Sequence, residues 1–263
     1  MATKRKATRK ATVKKNGQLP VELAKEFEAS LGAGFEEVTT KDLQMPFIRI
    51  AQGMSPQIKK NDAAFIAGCG LGDIFNTVTS QVWDSEEGIV VMPIYYQMKF
   101  LEFVPRSEGG GFVGELAPNS KEVLEAVREK GTELLSNGNE LVRSAQHYVK
   151  IVHEDGNLES AVIDMKKSHL KKSRQWNSLM GMQKHKGQTL PIFANTYHLK
   201  TVEDSNDQGS WYTWAISLES QIASLEHFRE AKKFHKSVSS GELQIAPPPA
   251  ETAIEGTSED IPF

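Results

Sequence analysis

DIFNTVTSQVWDSEEGIVVMPIYYQMKFLEFVP, residues 73–105, is the stretch whose reading decides the fold. It is dense in β-branched and aromatic residues, which suit a pleated, half-buried surface. Its turn chemistry is concentrated in Asp84-Ser85-Glu86-Glu87-Gly88. The reading is a strand from Asp73 to Trp83, a hairpin turn, and a long returning strand from Ile89 to Val104. Pro93 cannot donate to a strand ladder, so an edge position or a bulge is expected there. Gly109-Gly110-Gly111 then makes a flexible loop tip.

The pattern extends in both directions. Upstream, Pro46 to Ala51 reads as a short strand, with Phe47 and Arg49 on one face and Ile48 and Ile50 on the other. Further back, Pro20 opens an amphipathic helix carrying Leu23, Ala24, Phe27 and Leu31 on one side, ended by Gly32 and Gly34. Downstream, Asn119 with Glu122 forms a capping box. It predicts a helix whose apolar face holds Val123, Leu124, Val127, Leu134 and Leu135. Strands are expected at Glu140 to His153 and Leu158 to Asp164, joined across Asp155-Gly156. Lys166 to Lys186 reads as mainly helical, until Gly187. Two strands, Thr189 to Val202 and Ser210 to Leu218, flank a polar turn from Glu203 to Gly209. A last helix, Glu219 to Lys236, presents Ile222, Leu225, Phe228 and Ala231. The class is mixed, β-rich α+β, in a single domain spanning about 19–238.

The 263 residues are 39% hydrophobic and 25% charged, the composition of an ordinary soluble globular protein. No stretch approaches the length of a membrane span, and the lysine-rich start lacks the apolar segment of a signal peptide. Cys69 is the single cysteine, so no internal disulfide forms and a reducing cytoplasm is the expected compartment. The net charge of −3 hides a strong asymmetry. Residues 1–15 hold seven Lys or Arg and no acid, whereas 250–263 hold Glu251, Glu255, Glu259 and Asp260 and no base. Asp164 to Lys200 carries eight Lys or Arg against one Asp. A basic arm over residues 1–18 and an acidic tail over 239–263, stiffened by Pro247-Pro248-Pro249, are expected to be disordered. A polyanionic partner fits this distribution, and so does a merely solvated lysine surface.

The tail ends in Asp260-Ile261-Pro262-Phe263. This segment resembles the acidic tip of bacterial single-stranded DNA-binding proteins, where the same four residues close the chain. The resemblance implies a hook for replication and recombination proteins. Phe263 offers a ring for an apolar pocket and a terminal carboxylate for an Arg, and Pro262 limits the entropy lost on docking. In the body, Asp73 to Trp83 and Gly88 to Arg106 resemble a family of phage-encoded single-stranded DNA-binding proteins, over about residues 40–235. That resemblance implies an oligonucleotide-binding (OB) type β-barrel elaborated by several helices. For a phage-encoded protein the compartment would be the host cytoplasm.

Single-strand binding needs aromatic platforms beside cations. Alternation puts Tyr95, Lys99 and Phe103 on one strand face, leading to Arg106, with Trp83 near the preceding turn. Lys167, Lys171 and Arg174 fall on one helical face around Trp176. With Arg49 on the first strand, these residues form the candidate DNA-binding set. For each aromatic alone, core packing is the competing explanation. The glycine-rich Gly68-Cys69-Gly70-Leu71-Gly72 lacks the Lys-Ser/Thr of a P-loop, and the histidines show no zinc-like spacing. Asp164-Met165-Lys166 matches only half of a metal-dependent nuclease motif. The expectation is therefore a non-enzymatic protein without cofactor or metal that coats single-stranded DNA. The alternatives are a strand-annealing recombination protein and, more distantly, a nuclease using Asp164 and Lys166. Self-association into a homo-oligomer is left open.

Overall fold

The computed structural model describes residues 21–39, 42–129, 131–207 and 209–243. The basic arm and the Asp260–Phe263 tip lie outside these residues. Two compact units result, Met1–Leu43 and Gln44–Phe263. In the first, α1 (Val21–Ala29) forms where the amphipathic helix is expected; no residue of it is buried, and Phe27 and Leu31 are exposed.

The second unit is organised by two long antiparallel strands, β4 (Ile89–Val104) and β8 (Glu140–Val152), in register from Val91↔Ile151 to Phe103↔Glu140. Before β4 come β1 (Ile48–Ile50), β2 (Ile74–Asn76) and β3 (Val82–Trp83), which form their own sheet. Between β4 and β8 lie β5 (Gly111–Leu116), α2 (Lys121–Leu124), β6 (Val127–Glu129) and β7 (Thr132–Leu134). After β8 follow β9 (Leu158–Lys166), α3 (His169–Gly181), β10 (Lys184–His185) and β11 (Gln188–Thr189). The unit ends with β12 (Asn195–Asn206), β13 (Gly209–Gln221) and α4 (Leu225–Ser239).

Each long strand takes different neighbours at its two ends. β4 pairs β12 over Ile89–Val91 and β5 over Phe100–Val104, while β8 pairs β9 over Ser144–Val152 and β7 at Glu140. The smaller sheet touches β9 through a parallel bridge, Phe47↔Val162. It reaches the β12–β13 hairpin where the Gln52 amide exchanges two hydrogen bonds with the Tyr212 backbone, at 2.8 and 2.9 Å. Among the described residues the strand pairing does not close into a barrel; the path runs openly from β13 to β6. The β-rich class holds, whereas the closed barrel gives way to an open, branched sheet.

Both faces of that sheet are covered near its centre. One face packs Ile48, Ile74, Val91, Val149, Ile163, Tyr197 and Trp214 against Trp176 and Met180 of α3. The other packs Phe47, Met92, Ile94, Tyr148 and Val162 against Ala231, Phe234 and Val238 of α4. Lys150 fastens α4 to β8 through Glu230 at 2.6 Å. Pro93 sits at a bulge between Pro93 and Tyr95, as its missing N–H requires. The bulge resets the alternation. Met92 and Ile94 face α4 before it, and Tyr95 faces α4 after it.

Several sequence expectations are corrected. Asp73 to Trp83 is not one strand, because the Asn76 carboxamide accepts from Val78 N at 2.8 Å and Thr79 N at 3.0 Å. This side-chain turn folds β2 back onto β3. The Asp84–Gly88 turn forms, with Gly88 N donating to Asp84 O at 2.8 Å, but it joins two different sheets rather than a hairpin. The helix expected from Asn119 shrinks to α2, capped by Ser120 instead. Val127 and Leu134 pair across the β6–β7 hairpin. Their spacing fits a helical stripe, but Gly131 at φ +92° admits a turn and β8 supplies a pairing edge. Glu219 to Gln221 extends β13, so α4 starts later, at the Ser224 cap, and Leu225 is exposed. The polar turn between β12 and β13 also narrows, since Glu203 to Asn206 joins the strand.

Candidate nucleic-acid interface

Three successive strands carry polar pairs two residues apart: Gln97 and Lys99 on β4, Ser144 and Gln146 on β8, Asp164 and Lys166 on β9. Residues two apart share a sheet face. The register sets Lys99 beside Ser144 beside Lys166, and Gln97 beside Gln146 beside Asp164. The next row, Tyr95, Tyr148 and Val162, is apolar and lies under α4. The face thus turns from a helix-covered apolar patch into a polar block within one residue pair along each strand.

The block is strongly electrostatic. Asp164 is nearly buried, with Lys166 Nζ at 2.6 Å and Arg49 Nη2 at 3.9 Å. Burial by itself would push its carboxyl up. The two cations and the Lys166 hydrogen bond outweigh that and hold it down to about 2. Lys99 reaches Glu115 on β5 at 2.7 Å. Ser144 and Gln146 are buried, and the Ser144 hydroxyl and the Gln146 carbonyl oxygen have no hydrogen-bond partner among the described residues.

A second basic surface lies on α3. Lys171 and Arg174 are exposed and one turn apart, and the β10–β11 hairpin that follows exposes Lys184 and Lys186. None of these four forms an ion pair among the described residues. The inner side of α3 is apolar. Trp176 is fully buried, its ring stacked 4.5 Å from His147, which in turn meets the Ser173 hydroxyl at 2.8 Å. Burial pushes the His147 imidazole down to about 3, so it is neutral at physiological pH.

The candidate residues therefore separate. Lys171 and Arg174 share an exposed helical face as expected, but Lys167 precedes α3 with φ +47° and is not on that face. Trp176 is a core residue, because α3 must bury one side against the sheet. Trp83 is half-buried against the same core. Tyr95 and Lys99 do share a face, yet Tyr95 is held edge-on by Tyr148 and by His235 of α4, each 5.9 Å away. Phe103 lies edge-on to Phe112 of β5 at 5.5 Å. Arg106 is exposed in the turn after β4, and Arg49 is buried beside Asp164. Ser144, Gln146 and Gln97 escaped the sequence reading. Their signal is the recurrence of a polar pair at two-residue spacing inside otherwise apolar strands.

Asp164 is committed to two cations. Among the described residues no three His, Cys, Asp or Glu side chains gather as a metal would need. No helix among the described residues is long and apolar enough to cross a membrane.

The fold and the site define a β-rich protein with a basic outer helix and a polar block set into the face of its large sheet. The chain belongs to the Pam3 phage gp34-like protein family, whose model matches residues 14–244, and is thus a phage protein. No curated protein matches it, and no solved structure matches it.

Proposed function

We propose that this phage protein binds single-stranded DNA and coats it during replication, recombination or repair, without catalysis. The observation that carries the reading is the set Lys171, Arg174, Lys184 and Lys186 on α3 and the hairpin after it, exposed cations with no acidic partner among the described residues. Such cations gain most from a polyanion, by releasing its condensed counterions. A single strand is favoured over a duplex because the resemblances in the body and at Asp260–Phe263 both point to single-strand proteins. In this reading the sheet is an OB-type platform, with β1 to β3 as its opposing wall. Asp260, Ile261, Pro262 and Phe263 recruit replication or recombination partners and stay off the DNA.

The test is a fluorescence titration of the full chain with oligo-dT and with duplex DNA at several salt concentrations. Oligo-dT is expected to bind more tightly, and more weakly as salt rises. Lys171→Glu with Arg174→Glu should lower the salt slope by about 1.4, at ~0.7 per phosphate contact on a single strand. Preference for duplex, or no binding, refutes the proposal. Removing the last nine residues should leave DNA affinity unchanged or raised.

A further inference from the structure

The polar block on the large sheet contains two groups that no other described residue satisfies. Ser144 has no solvent exposure and Gln146 retains only 3%, and neither the Ser144 hydroxyl nor the Gln146 carbonyl oxygen meets a partner. Buried polar groups are nearly always paired, and leaving one unpaired costs on the order of 1–3 kcal/mol. Two such groups stand side by side, two residues apart on β8 and so roughly 7 Å apart along the strand. Two such groups side by side, flanked by cations, are what a bound ligand would satisfy.

Its neighbours say what would bind. Lys99 and Lys166 flank Ser144 on the adjacent strands, and their side chains keep 14% and 15% exposure, so their ends form the rim above a buried floor. Each ammonium gives one short contact to a carboxylate, Glu115 or Asp164, and an ammonium has three donors. Spare donors on both sides of an unpartnered hydroxyl suit an anionic oxygen. Gln146, one step along the strand, offers an acceptor that needs an N–H.

We infer that the block seats one nucleotide of a bound strand. A phosphodiester oxygen lies between Lys99 and Lys166 and accepts a hydrogen bond from the Ser144 hydroxyl. The adjoining base gives an N–H or amino hydrogen to the Gln146 carbonyl. Thymine, cytosine, adenine and guanine all carry such a donor, so the seat requires a base without choosing among them. The inference rests on the single-strand reading and adds a residue-level address to it. Ser144 is fully buried, so the Lys99 and Lys166 side chains, held there by Glu115 and Asp164, must swing aside to admit the phosphate.

The test uses the full chain, with thymidine 5′-monophosphate and the abasic deoxyribose 5-phosphate as small probes and oligo-dT as the long one. Ser144→Ala should weaken thymidine monophosphate about tenfold, the worth of one hydrogen bond to a charged group. It should leave the melting temperature unchanged or raised, since an unsatisfied hydroxyl is removed. Gln146→Leu should erase the preference for thymidine monophosphate over the abasic probe. Lys171→Glu with Arg174→Glu should weaken oligo-dT and leave the small probe alone. If Ser144→Ala lowers the melting temperature and changes no affinity, the hydroxyl is structural and the seat is refuted. If oligo-dT binds with the expected salt dependence while neither Ser144→Ala nor Gln146→Leu affects either ligand, the seat falls and the single-strand reading stands. If oligo-dT does not bind at all, both fall.

Discussion

Replacing Asp164 with Asn keeps the shape of the side chain and removes the charge shared by buried Arg49 and partly buried Lys166. Its carboxyl is held at about 2 against an ordinary 3.8. A shift of that size corresponds to roughly 2 kcal/mol of stabilisation at neutral pH. The variant also removes the carboxylate that Lys166 contacts at 2.6 Å and that Arg49 approaches at 3.9 Å. Breaking a buried pair from one side usually costs ~3–5 kcal/mol. The expected loss is therefore about 3 kcal/mol, nearer the lower figure because Lys166 keeps some exposure and relaxes toward solvent. Urea unfolding followed by tryptophan fluorescence at pH 7 measures it. The pH dependence gives an independent sign. A carboxyl with a lowered pKa contributes fully above its unfolded value, and that contribution disappears as pH falls through the folded one. The gap between wild type and Asp164→Asn should be constant from pH 7 to 5 and close between roughly pH 4 and 2. A loss under 1 kcal/mol at pH 7, or a gap that widens in acid, would refute the assignment of Asp164 as the shared counter-ion. Disappearance of a magnesium-dependent cleavage in the same variant would give Asp164 a catalytic role.

Two further substitutions probe the frame around the site. Gly88 has φ +68°, and a Cβ added there would lie 2.3 Å from the Leu199 carbonyl oxygen. Gly88→Ala should cost at least ~2 kcal/mol in the same urea assay, and a neutral result would mean that the turn entering β4 is not packed against β12 as described. Trp176→Phe should lower the melting temperature by several degrees, at about 2–4 °C per kcal/mol, while oligo-dT affinity stays within twofold. A larger affinity loss would place that ring on DNA rather than in the core.

What was legible in the sequence was local. Ile89 to Val104 is found as a strand with the same ends, because a sixteen-residue run rich in β-branched and aromatic side chains admits little else and Pro93 announces its own bulge. β8 and β9 follow from two β-rich runs on either side of Asp155-Gly156, where the Asp155 carboxylate accepts from Asn157 N at 3.0 Å. The readings fail where one pattern serves two structures. Val127 and Leu134 lie at helical spacing from Val123 and equally on a hairpin, and the edge of β8 chooses the hairpin. Asn76 reads as an ordinary strand residue until its carboxamide captures two backbone N–H groups.

The candidate site divides in the same way. Sequence by itself determined the charge layout and the placing of Lys171 and Arg174 on one helical face, since these depend on composition and local period. Only the tertiary structure decided which aromatics are core, because that depends on α3 covering one face of the sheet and α4 the other. It also decided that Lys99, Ser144 and Lys166 stand abreast. They come from strands brought together by long-range register, and no local rule fixes register between distant segments.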